Sequence, residues 1–355
     1  MLIYWILLAF PATMALAYPA AMERYRASAA QGLAIISFII FYTMLAALRF
    51  EIGGDWGNYE AKYLDIKTDS LGYALTSTDP LYGLLNWLSA LVGGGVYLVN
   101  GVCALLLIYG VVRVALRFRD PWLAITMAVP YLLIVVGMGY VRQGAAIGLI
   151  LVAIASFDQS RPWRTSIFLA LAMGFHSTAI VVFPMFAYAL STRHRALSVI
   201  FTALGAAAYI LVLAPRLSGF EAGYLDADYD SEGAFVRVLM NVLASAMVLL
   251  RWRYFAPGNK ARSVWISIGL ANFVAFAILL VTPSSTAVDR LALFLAPIQV
   301  AMFGEFRNLV PLPGKFAVLL RLLLIAVAVA VQVVWLIYAS HAEYWVPYQS
   351  VLQFL

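Results

Sequence analysis

Four arginines, one histidine and three aspartates stand out as the residues able to do chemistry in this sequence. Arg49 lies in "LRFEIGGDWGNYEAKY", Arg142 in "GMGYVRQGAAIG", Arg237 in "SEGAFVRVLMN" and Arg290 in "SSTAVDRLALF". Each borders a long apolar run, in a chain where only 11% of residues are charged. A lone arginine there can snorkel its guanidinium to lipid headgroups. Four of them fit better with a polar interior, because a guanidinium at depth is costly and needs a partner. Arg142 and Arg290 also begin predicted helices, where free backbone N–H groups and the helix dipole already favour an anion. A guanidinium adds a bidentate grip on phosphate or carboxylate. Two or three such groups meeting in one cavity would suit a diphosphate.

The acids and the histidine supply proton chemistry. Asp55 follows Gly53-Gly54, a pair that permits a tight turn, and it is the first candidate for a general base. His176, in "GFHSTAIVVFPMF", falls at a turn between two apolar runs at the same predicted depth as Arg142, and is the second. Asp289 is the third, with the alternative role of orienting its neighbour Arg290. Asp79-Pro80 reads as a helix N-cap followed by proline at the first helical position, a structural role that accounts for it without chemistry. Trp56, Tyr59 and Tyr82 have the apolar faces and polar edges that suit sugars, against the alternative of core packing. Gln143 could hold a ligand oxygen. A metal site is not expected: His194 and His341 lie far from His176, and the single cysteine, Cys103, sits inside an apolar run. Asp226, Asp228 and Asp230 resemble the start of a calcium loop, but the required glycine and closing glutamate are out of register, so "EAGYLDADYDSEG" reads as a solvated loop.

The elements that must position these residues are membrane helices. The chain has 355 residues, 64% of them hydrophobic, and a mean hydropathy of +0.92, well outside the range of soluble domains. Apolar runs long enough to cross about 30 Å of hydrocarbon recur along its length. Continuous runs rather than alternating segments exclude a β-barrel. About twelve spans are expected, near 2–18, 31–48, 94–116, 121–138, 142–157, 164–175, 177–192, 197–214, 234–252, 263–282, 288–303 and 316–338, with an extra short helix at 81–92 lying on or dipping into the membrane. The chain reads as one integral membrane domain, 1–355, with larger polar loops at 49–80 and 215–233 and a polar tail at 339–355.

Charge sets the orientation. One set of connections holds 16 of the 23 Lys and Arg and four of the 17 Asp and Glu, and the positive-inside rule places it in the cytoplasm. The basic balance therefore reflects topology and implies no nucleic acid. The cytoplasmic loops are short and carry no glycine-rich phosphate loop. The candidate chemistry falls on the outer side, and no internal repeat points to a repeat-built transporter.

With these residues in view, the chain resembles the Wzy-type polysaccharide repeat-unit polymerases, in particular the EpsG-like subgroup. The matching pieces are "LRFEIGGDWGNYEAKY", "DPLYGLLNWL", "VRQGAAIGLILVAIA", "GFHSTAIVVFPMF", "DRLALFLAPI" and "YWVPYQSVL", in that order. One departure is Asp79-Pro80 where Glu-Pro is expected, a change that keeps the carboxylate. The resemblance implies a GT-C-like fold with short outer-side amphipathic helices, in a bacterial cytoplasmic membrane. It implies an inverting, metal-independent glycosyltransferase with no cofactor. The enzyme would move a growing glycan from undecaprenyl diphosphate onto a sugar hydroxyl of the next lipid-linked repeat unit, at the periplasmic leaflet. Its partners would be that lipid-linked oligosaccharide, the bilayer, a chain-length regulator and a flippase. On this reading Arg142 and Arg290 meet the diphosphate with Arg49 as a third cation, Asp55 or His176 takes the proton, and Trp56, Tyr59, Asp79, Tyr82, Gln143, Arg237 and Asp289 line the substrate. A flippase of lipid-linked oligosaccharide, an O-acyltransferase and a lipid-linked glycan ligase are the rival readings, and they differ in product.

Overall fold

The computed structural model describes residues 1–18, 29–191, 193–208, 233–256, 258–282, 285–311 and 313–354. Among them the secondary structure is helical, apart from one isolated antiparallel bridge between Arg49 and Ser350. The helices are α1 (Leu2–Ala17), α2 (Ala29–Ala47), α3 (Trp56–Lys67), α4 (Leu71–Thr76), α5 (Pro80–Leu91), α6 (Gly95–Ala115), α7 (Pro121–Ala128), α8 (Val141–Ala155) and α9 (Pro162–Phe175). They continue as α10 (Phe183–Leu190), α11 (Arg195–Ala208), α12 (Ala234–Leu250), α13 (Arg262–Val281), α14 (Ser285–Ala292), α15 (Pro297–Gly304) and α16 (Gly314–Val333). Most of the loop expected at 215–233, with its acidic residues and calcium-like spacing, lies outside the described residues.

The chain is a multi-pass α-helical membrane protein. Five helices are long and apolar enough to cross a bilayer, or six if α14 and α15, bent by 44° at their junction, count as one span. Twelve crossings of full length are therefore not what the described helices provide. Several other apolar helices are shorter than a full span, and α9 ends after 14 residues at His176, where φ −157° and ψ 110° are extended.

The segment Pro121–Gly139 is the axle of the fold: 89% of it is buried, against 28% for Ala29–Ala47 and 22% for Phe316–Tyr338. A helix apolar all round belongs inside other helices. α7 continues into a wide turn of π geometry at Val129–Val136, and Pro130 accounts for it, since proline lacks the N–H that would close an α turn. α6 and α8 cross so closely that a Cβ on Gly110 would sit 2.1 Å from the carbonyl oxygen of Gly148. Small residues permit such backbone approach where lipid offers no other driving force.

The loop after α2 is built rather than loose. In α3 the large side chains Trp56, Tyr59, Tyr63 and Ile66 recur at helical spacing and are buried, while Asn58, Glu60 and Asp65 face outward. The C-terminal tail packs over this loop. Gly53 donates its N–H to the Tyr344 carbonyl at 2.8 Å and Phe50 to the Gln349 carbonyl at 3.0 Å. The Trp345 indole reaches the Ile134 carbonyl of the axle at 3.2 Å.

Candidate functional site

The dipeptide Asp-Pro occurs before two helices, and the structure uses it in two ways. At Asp120-Pro121 the carboxylate caps its own helix, accepting the Leu123 N–H at 3.2 Å. At Asp79-Pro80 it makes no side-chain cap. Asp79 instead turns to partners far along the chain, so the side-chain cap expected of it is replaced by long-range pairing. Its Oδ1 accepts the Ser177 N–H at 2.9 Å. Its Oδ2 accepts from Arg142 Nη1 at 2.9 Å and lies 3.3 Å from His176 Nδ1. Arg142 Nη1 also donates to Thr78 Oγ1 at 3.1 Å.

This trio has an inner and an outer side. The Asp79 side chain is 9% exposed, His176 22% and Arg142 35%. Burial by itself would raise the Asp79 carboxyl, but hydrogen bonds from His176 and the Ser177 amide, with the charge of Arg142, outweigh it and hold the group below the ordinary aspartate range. A neutral imidazole that donates its Nδ1–H to the ionised Asp79 presents Nε2 as an acceptor. The imidazole stacks on Phe294 at 6.1 Å, and the Arg142 guanidinium sits 5.7 Å above the ring of Tyr82. Carboxylate, imidazole and guanidinium are thus each fixed from more than one direction.

A second group adjoins the first. Gln143 donates to the backbone carbonyl of Arg290 at 2.6 Å, which joins the start of α8 to α14. The Arg290 side chain is exposed. Asp289 grips Arg237 in a two-pronged pair at 2.9 and 2.7 Å. Asp289 thus turns to Arg237 on α12, a partner that its place beside Arg290 in the sequence did not suggest. Tyr140, which sequence reasoning passed over, lies within electrostatic reach of Asp55, Arg237, Asp289 and Arg290 and so connects the first loop to this second group.

The remaining candidates fall around this centre. Asp55 sits at the start of α3, half-buried, with Asn58 at 3.3 Å. It is brought in by Gly53, whose φ is +98° and whose Cβ, if present, would lie 2.5 Å from the Met138 carbonyl. Arg49 turns away from the ligand side. It is wholly buried, donates to the Ile52 carbonyl at 3.2 Å, to Asn100 at 3.2 Å and to the Ala46 carbonyl, and lies 5.5 Å over Trp56. Trp56, Tyr59 and Tyr82 are buried against each other and neighbouring apolar groups, with Tyr59 and Tyr82 edge to face at 6.0 Å. They build the wall behind Arg142 and present no open ring for stacking. Among the described residues no group of three His, Cys, Asp or Glu is placed to hold a metal ion. Thr78, Ser177 and Phe294 complete the site without any distinguishing sequence signal, since each is an ordinary residue in its local context.

A buried carboxylate bridging a guanidinium and an imidazole gives this multi-pass helical membrane protein a polar, charged cluster at one end of its helices. The chain belongs to the EpsG family, whose model matches residues 32–350, and that family is associated with glycosyltransferase-type polysaccharide polymerases. No curated protein and no solved structure matches the chain.

Proposed function

We propose that the chain is an inverting repeat-unit polymerase, taking its glycan from a lipid diphosphate and passing it to a sugar hydroxyl of the next lipid-linked unit. The observation that carries this reading is the shared carboxylate oxygen of Asp79, which holds Arg142 and His176 side by side. The acceptor O–H gives its proton to Nε2 of His176 as its oxygen bonds to the anomeric carbon of the donor. The bond from that carbon to the diphosphate breaks, and the electron pair leaves on the phosphate oxygen. Arg290, and the nitrogens of Arg142 not committed to Asp79 and Thr78, offset that growing charge. Asp79 positions both partners, in the way a third group orients a base. Asp55 is the competing base, Gln143 and the Arg237–Asp289 pair frame the donor side, and Arg49 with Trp56, Tyr59 and Tyr82 supports the wall.

The GT-C-like frame and the twelve crossings belong to the same reading, with the shorter apolar helices crossing as incomplete spans where the bilayer thins around them. What supports the alternation is that Asp79, Arg142, His176 and Arg290 gather at one end of α8 and α9, while Arg161, Arg164 and Lys260 gather at the other. By the positive-inside rule the first end faces the periplasm, where undecaprenyl-diphosphate-linked units, a flippase and a chain-length regulator would meet the enzyme.

The test is a reconstitution of purified protein with lipid-linked repeat units, followed on a gel. Arg142→Ala and Arg290→Ala are expected to abolish the glycan ladder while folded, membrane-inserted protein remains. A full ladder from both variants would remove the assignment. Lipid translocation without lengthening, by the unaltered protein, would move the chain to the carriers.

A further inference from the structure

A cavity of about 510 Å³ lies at the end of the molecule opposite Asp79, where α6 and α8 finish and α9 begins. Arg113, Arg117, Arg161 and Arg164 line it, together with Lys260. It is separate from the proposed reaction centre: Arg164 and His176 lie near opposite ends of α9, about 18 Å apart along the helix at 1.5 Å per residue.

The two acids of this cavity are already engaged. Asp158 accepts from Lys260 Nζ at 2.6 Å and from the Ser160 N–H at 2.8 Å, and these two contacts hold its carboxyl down at about 2. Glu305 is buried and accepts from the Arg119 N–H at 3.1 Å and from Asn308. Lys260 therefore has its counter-ion. The four arginines do not: among the described residues none of their guanidiniums pairs with a carboxylate. Two of them rest on aromatic rings, Arg113 at 5.8 Å from the Tyr109 ring and Arg164 at 5.3 Å from that of Trp163, which holds a guanidinium in place and leaves its N–H groups available.

Topology alone accounts for cations on this side of a bilayer. It does not require four of them, from the end of one helix and the start of another, to line a shared hollow with none paired to a carboxylate among the described residues. The volume falls in the range of small-molecule sites. The planar, forked donors suit phosphate oxygens better than any other common anion except carboxylate, and their number calls for more than one negative charge.

We propose that this cavity binds a phosphorylated ligand carrying at least two negative charges, either a free phosphorylated metabolite or the headgroup of an anionic lipid. The glycan chemistry at the far end neither requires nor supplies it.

The experiment uses the full chain carrying Arg142→Ala and Arg290→Ala, so that any diphosphate affinity of the far end is removed and the result is independent of the polymerase reading. Inorganic pyrophosphate is titrated into detergent-solubilised protein by calorimetry, and cardiolipin, whose headgroup carries two phosphates, retained by protein from mixed-lipid nanodiscs is counted by native mass spectrometry. Arg117, Arg161 and Arg164 are exposed, so Arg→Gln at each leaves the fold intact, which a thermal melt checks. Saturable pyrophosphate binding, weakened at least tenfold by the triple Arg→Gln variant, supports a free phosphorylated metabolite. Cardiolipin that stays with the parent and is lost from the triple variant supports the headgroup. Absence of both signals, or signals unchanged in the folded triple variant, overturns the proposal.

Discussion

Asp79 is the residue on which the site turns. Its lowered carboxyl pKa has a definite sign: the stability it contributes is present in full above the ordinary aspartate value of 3.8 and is lost as pH falls through the lower folded-state value. Thermal unfolding of the parent should therefore weaken more steeply than that of Asp79→Asn as pH is lowered from 7 to 3, and equal acid sensitivity would detach Asp79 from its partners. In the polymerisation assay His176→Gln should lower turnover by about 10²- to 10⁴-fold, the range for loss of a general base. Asp79→Asn should lower it as well and alter the pH profile, because the amide no longer fixes the tautomer of the imidazole. A small loss from His176→Gln with a large one from Asp55→Asn would transfer the proton to Asp55. Local sequence could not single out Asp79, since Asp120-Pro121 has the same form and does cap. The difference lies in His176 and Ser177, 97 and 98 residues further on.

At the scale of elements, two contacts decide whether the site assembles. One is the approach of the Gly53 turn to the Met138 carbonyl. Gly53→Ala would place a Cβ 2.5 Å from that oxygen at a φ of +98°, a conformation that strains L side chains by about 1–3 kcal/mol before the clash is counted. The expected outcome is a lower unfolding temperature together with reduced turnover, as α3 and Asp55 withdraw from the start of α8. A variant that melts and elongates like the parent would show the turn to be dispensable. The other contact is the Gly110–Gly148 crossing of α6 and α8, which fixes the height at which Arg142 meets Asp79. The Gly53-Gly54 pair was legible as a turn. That it lies against the axle was not, because a glycine in sequence records permission for close approach and never the partner.

At the scale of the molecule, the C-terminal tail ties both ends of the chain to the site. Trp345 is 3% exposed. It receives the Tyr4 hydroxyl on its carbonyl at 2.8 Å and donates its indole to Ile134, while Tyr344 next to it accepts from Gly53. Trp345→Ala should cost about 3–5 kcal/mol, as for other buried tryptophans, and reduce elongation by loosening the Gly53 turn. Leu352→Ala, at a residue 60% exposed, should change neither. Detergent melts and the gel assay measure both, and parity of the two variants would reduce the tail to an ornament. At the far end Asp120 meets Arg321, which also donates to the Ala15 carbonyl at 3.0 Å, so α1, α7 and α16 are joined there as the tail joins α1, the Gly53 turn and the Val129–Val136 segment here.

Composition and hydropathy alone determined that this is a multi-pass helical membrane protein and that a few polar residues collect at the ends of its apolar runs. Those properties are local sums: transfer to hydrocarbon depends on the residues of each run and hardly on the rest of the chain. Which cation meets which acid was decided only by tertiary structure. Arg142 found Asp79, Arg237 found Asp289, and Arg49 turned inward to backbone carbonyls and Asn100. Such pairings depend on the rotation and depth of helices far apart in the chain, set by close packing at places such as Gly110 and Gly148. A turn of one residue carries a side chain about 100° around its helix, enough to exchange a ligand-facing guanidinium for a buried one.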